Sequence, residues 1–177
     1  MKKYFCLAVL ICISTGAFSQ DVFISGVNEN RLLRWDDFKG EPDYNSAHEA
    51  NTYWNINYSL KGLSFKGDTA IISGFSVKLE LNEKFSWIKP GKQTNSLLKH
   101  EQGHFNIGLI CQREIIKLFN STVFLRPGFN EQIQNIFKST MNKYFSLGAQ
   151  YDQETDHSRN QPAQDKWNEF FTKELNR

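Results

Sequence analysis

A chain of 177 residues has the length of a single domain, and 40% hydrophobic with 14% aromatic residues is ordinary globular composition leaning towards β structure. Lys and Arg number 21 against 19 acidic residues; without Lys2 and Lys3 the balance is 19 to 19. That excludes the basic footprint a nucleic-acid binder needs.

The first segment, MKKYFCLAVLICISTGAFSQ, has two lysines, an apolar run from Tyr4 to Ile13, then small residues up to Ser19. This is the layout of a secretory signal peptide over residues 1–19, cleaved after Ser19 or Gln20, with a run too short to span a bilayer. The remaining 20–177 form one domain, expected in the periplasm or outside the cell with no membrane span after signal removal. Cys6 and Cys12 leave with the signal, so the exported chain keeps only Cys111 and no internal disulfide. Cys111 reads as a small core residue, because it lies about 10 Å along a helix from the nearest histidine.

RLLRWDDFKGEPD, from Arg31 to Asp43, reads as a lead-in segment that stops at Gly40 and Pro42. From Tyr53 the chain alternates, with Trp54, Ile56, Tyr58 and Leu60 on one face of a half-buried strand. Turns are predicted at 61–62 and 66–68 around a short strand at Leu63 to Phe65. A long strand follows, with Ile71, Ser73, Phe75, Val77, Leu79 and Leu81 on one face. Three strands in hairpin order predict a small antiparallel sheet. The period then changes: Pro90 and Gly91 break the chain, and Thr94 or Asn95 caps a helix over 95–119. A second helix is capped at Asn130 and ends near Gly148. The polar stretch GAQYDQETDHS is then a loop, and a last amphipathic helix covers 161–175, burying Trp167, Phe170, Phe171 and Leu175.

The first of these helices carries KHEQGHF, with His100, Glu101 and His104 in the H-E-x-x-H pattern. Positions i and i+4 lie one turn apart, so both imidazoles reach one ion at about 2 Å. Glu101 is rotated about 100° from His100 and meets a water on the metal instead. Zinc lowers the pKa of that water towards 7, and Glu101 as general base accepts its proton. A catalytic zinc needs a third protein ligand and one open position. Ser96, Leu97, Ile107 and Gly108 cannot serve, and the metzincin extension fails at Ile107 and Ile110. Glu114 points elsewhere. His48 reads as an exposed histidine. The third ligand is therefore expected from YDQETDHS, with His157 ahead of Asp152 and Glu154. His157 or, alternatively, Tyr151 is also a candidate for transition-state stabilisation.

Through RWDDFKG, LLKHEQGHFNIG and YDQETDHSRNQPAQDKW, the chain resembles a family of secreted bacterial proteins, predicted zinc-dependent proteases that carry a domain of unknown function within the zincin superfamily. The resemblance implies an α+β, zincin-like fold in which a small antiparallel sheet packs on the active-site helix, and the residue pattern adds the two further helices that follow. It implies His100 and His104 as zinc ligands, Glu101 as base, and an extended peptide or protein substrate along the sheet edge. The expected function is thus an exported zinc metallopeptidase. The alternatives are a non-catalytic zinc-binding module of the cell envelope on the same scaffold, and a structural zinc closed by a fourth ligand.

Overall fold

The computed structural model describes residues 19–176; the signal segment expected at 1–19 lies, but for its last residue, outside them. The chain is α+β: a small mixed sheet on one side and three helices on the other. Alternation in the WNINYSL stretch makes the strand β4 (Trp54–Lys66), which turns at Gly67 into β5 (Thr69–Leu81). Their register runs from Trp54 opposite Leu81 to Lys66 opposite Thr69. The turn expected at 61–62 is absent, because Gly62 stays in the ladder opposite Ser73; the two predicted strands are one. The buried face of β5 carries Phe75, Val77, Leu79 and Leu81, whereas Ile71 is exposed. Gly74, at φ 75°, separates the two stretches, so strict alternation does not carry through it.

The sheet is mixed rather than antiparallel. β1 (Ser19–Ile24) lies parallel to β5, and β2 (Val27–Asn28) pairs antiparallel with β1, giving the order β2-β1-β5-β4. Among its described side chains, Asp21 to Ile24, β1 buries Val22 and Ile24, too short a pattern to announce a strand, and its partner is distant in sequence. A second pair joins β3 (Ala50–Asn51) to β6 (Trp87–Ile88). The RWDDFKG stretch forms a 3-10 turn at Trp35–Asp37 and then runs against residues 83–86, where Lys39 N donates to Glu83 O and Gly40 N to Ser86 O. A Cβ on Gly40 would sit 2.6 Å from the Lys84 carbonyl oxygen, which explains the glycine.

Helix α1 (Asn95–Ser121) is capped by Thr94, whose side chain accepts from Leu97 N, and buries Phe105, Ile107, Cys111 and Ile115. Trp54 and Leu79 press so close that a Cβ on Gly108 would lie 2.9 Å from the indole. Cys111 is buried, as expected, and burial pushes its thiol up to about 12. Helix α2 (Phe129–Thr155) begins after Gly128 and runs straight through Gly148, so most of the predicted loop is helix. Burial of Tyr144, Tyr151 and Thr155 outweighs the roughly 1 kcal/mol that one interior glycine costs. Helix α3 (Gln161–Leu175) has the predicted bounds, with Asn160 as its cap.

Candidate metal centre

His100 and His104 project from α1 towards the last turns of α2, as the one-turn spacing requires. Their Nε2 atoms are 3.3 Å apart. Asp152, on α2, brings Oδ1 to 3.1 Å from His100 Nε2 and 2.9 Å from His104 Nε2. His157 Nδ1 lies 3.4 Å from the same oxygen. Both His157 and Asp152 therefore join the histidine pair. Glu154 does not: it accepts from Trp167 Nε1 and Gln150 Nε2. Glu114 binds Lys143 and Tyr144, away from the cluster.

His157 is turned back by the backbone. Asp156, His157 and Ser158 have φ of 45°, 50° and 79°, a left-handed run of three non-glycine residues that costs about 1 kcal/mol or more each. His157 N donates to Asp152 O at 3.1 Å and Asn160 N to Thr155 O at 2.8 Å, holding the run in place. His48 is exposed, as expected, but it is not remote: its Nδ1 is 3.1 Å from His157 Nδ1, across the mouth of the site.

The donor set fits a metal ion. Gln164 Oε1 sits 3.2 Å from His100 Nδ1, and since an amide oxygen only accepts, Nδ1 carries the proton. In the neutral ring His100 Nε2 then faces the Asp152 oxygen with a lone pair, a contact made favourable by a second proton on the ring or by a cation between the two atoms. Donors held at about 2.0–2.2 Å in a tetrahedron are about 3.3–3.6 Å from one another, and the separations here, 2.9 to 3.4 Å, lie at the lower end of that range or a few tenths of an ångström below it. His100, Asp152 and His157 form a group that could hold a metal ion. Imidazole and carboxylate donors suit a first-row divalent metal.

The surrounding charges agree. Burial pushes the Asp152 carboxyl up, but hydrogen bonds to His100 and His104 outweigh it and hold it well below the usual carboxylate range. For His104, burial lowers the imidazole, but the Asp152 hydrogen bond and the nearby Glu101 charge outweigh it and raise it above its ordinary value. Glu101 is buried, and Thr52 Oγ1 donates to its Oε2 at 2.6 Å. A cavity of about 340 Å³ opens over these groups, lined by Glu101, His100, His104, Asp152, His157 and His48 among others.

Several supporting residues carry no motif signal. Tyr151 is fully buried behind the site rather than in the cavity, stacked on the His100 ring at 4.6 Å, with its hydroxyl donating to His100 O. Burial pushes its phenol up, so it stays a donor. Gly103 makes room for it: a Cβ there would overlap the Tyr151 hydroxyl and ring. Gln102 Oε1 accepts from Leu33 N at 2.7 Å, tying the RWDDFKG segment to the helix. Thr155 Oγ1 lies 3.4 Å from His100 Nδ1. Their one sequence signature is proximity to the histidines along the chain or in YDQETDHSRNQPAQ. Comparison with family models, curated proteins and solved structures finds no match, so the site is read from this chain's own residues.

Proposed function

We propose that the chain is an exported zinc metallopeptidase on a zincin-like scaffold. The observation that carries this reading is a buried glutamate, Glu101, in the same cavity wall as a converging His100, His104 and Asp152 set. In this reading His100, His104 and Asp152 hold the zinc from two rigid helices. His157, on a left-handed loop at the mouth, is the donor that yields its place or turns to a substrate carbonyl oxygen. A zinc ion held there supplies Lewis acidity and makes water more acidic. Glu101 takes the proton from the attacking water on its carboxylate and passes it to the leaving amine nitrogen, while Thr52 fixes the carboxylate's orientation. Gln164 keeps the proton on His100 Nδ1, so Nε2 remains a ligand. Ala50 to Thr52 border the cavity beside the short strand β3, where an extended peptide or protein substrate can run.

The test combines metal analysis with peptide cleavage by residues 20–177. One zinc per chain is expected, retained in Glu101→Gln while cleavage falls at least about 100-fold. Equal cleavage by the variant removes Glu101 as base; no zinc after reconstitution removes the reading. A second reading, a non-catalytic envelope module with a closed zinc site, rests on His157 bringing a fourth donor to 3.4 Å from Asp152. It requires His157→Ala to lose zinc and wild type to cleave nothing.

A further inference from the structure

The cavity does not end at the metal ligands. On α1 its wall is Leu97, His100, Glu101, His104 and Ile107; on α2 it is Tyr144, Phe145, Gly148, Ala149 and Asp152. Both sets follow the three-four spacing of one helix face. The helices run antiparallel, so each turn past the ligands has a facing turn: Asp152 opposes His100, and Gly148 faces His104. One turn further, about 5 Å along the axis, the walls become Ile107, Trp54 and Phe145. Ile107 is 1% exposed, and Trp54 stacks on Phe145 with ring centres 5.4 Å apart. The cavity therefore grades from polar to apolar along its length.

Gly148 sits at the change. It lies in the interior of a 27-residue helix, where glycine is disfavoured, and its φ is not positive. A Cβ there would meet only His104 Nδ1, at 3.9 Å. Neither the backbone nor close packing calls for glycine at this position, in contrast to Gly103 and Gly108. What its missing side chain leaves is open cavity beside a metal ligand.

We infer that the turn of cavity between Gly148, Ile107, Trp54 and Phe145 is the subsite for one leucine- or phenylalanine-sized side chain of the substrate, and that Gly148 sets its depth. The inference rests on the peptidase reading for its occupant, since a residue next to the scissile bond is the group that reaches one turn past the metal. Charged side chains find no partner among Ile107, Trp54 and Phe145, so the protein selects peptides with a large apolar residue beside the cleaved bond. Gly148 acts on specificity alone and touches no reacting atom.

Two measurements on residues 20–177 test this separately from catalysis. The first titrates N-acetyl-leucinamide, N-acetyl-phenylalaninamide and N-acetyl-alaninamide into the protein and follows the Ile107 methyl and Gly148 amide signals by NMR. Leucine and phenylalanine are expected to bind about 10-fold or more tighter than alanine, and to lose that advantage in Gly148→Leu and, in part, in Gly148→Ala. The second reads cleavage sites in a peptide library by mass spectrometry. Enrichment of large apolar residues at one position next to the cut is expected in wild type, shifting to small residues in Gly148→Leu. Selective binding without any cleavage keeps the subsite and sinks the peptidase reading. Equal binding of the three amides, or an apolar preference unchanged in a folded Gly148→Leu, overturns the subsite whether or not peptides are cut.

Discussion

Gly103 lies between Glu101 and His104 and faces a rigid neighbour, the buried Tyr151 ring, which leaves no space for a methyl group. Helix propensity alone favours alanine there by up to about 1 kcal/mol. Overpacking against an aromatic that is itself fixed by Gln164 and the His100 carbonyl costs more, so Gly103→Ala is expected to destabilise by about 1–3 kcal/mol. Chemical denaturation measures it, and a more stable variant would mean that Tyr151 moves freely. Gly148→Ala on the facing helix is the matched opposite. With open space at the Cβ position, it is expected to stabilise by up to about 1 kcal/mol, read in the same experiment.

At the scale of elements, the lead-in segment is held by one buried carboxylate. Asp37 accepts from Arg31 through both oxygens at 2.7 Å, and from Arg34 N at 2.7 Å. Burial pushes its carboxyl up, but those bonds outweigh it and bring it below its ordinary value. The folded chain therefore takes up this proton less readily than the unfolded chain. The stabilisation is complete above the unfolded carboxylate value, about pH 4, and is lost as pH falls through the lower folded value. Asp37→Asn is expected to lose about 1–3 kcal/mol at pH 7 and less at pH 3. An equal loss at both pH values in urea unfolding would show that the charge is not what counts. Since Leu33 N bonds Gln102, loosening this segment also loosens the side of α1 that carries the motif.

For the whole molecule, the cluster gathers groups that start far apart in sequence: two from α1, one from α2, one from the loop before α3, with His48 from the stretch before β3. Metal bound there links these pieces in the folded state only. A ligand at 100 times its dissociation constant adds about 2.7 kcal/mol, which for a domain of this size is a melting shift of about 5–10 °C. Chelation is expected to lower the melting temperature by that amount in wild type and by nothing in His100→Ala. A wild type that melts at one temperature with and without chelator would refute a metal tie across these elements.

The sequence by itself determined what is local and periodic. Alternation in WNINYSL and the 3.6-residue pattern of α1 and α3 set those elements, and Thr94 or Asn95 marked the start of α1. The one-turn spacing of His100 and His104 put both imidazoles on one face, whatever surrounds them. Tertiary structure decided the rest. Gly62 and Gly148 resemble breaks, yet a long ladder and buried neighbours carry the chain through both. The parallel pairing of β1 depends on contacts distant in sequence, so no short pattern foretells it. Asp152 reaches the two Nε2 atoms only because α2 extends past Gly148 and carries its carboxylate there. His48 meets His157 only in the folded chain, across 109 residues of sequence. Local periodicity reports which way a side chain faces; the meeting of faces from separate elements is set by packing, which no single stretch of chain contains.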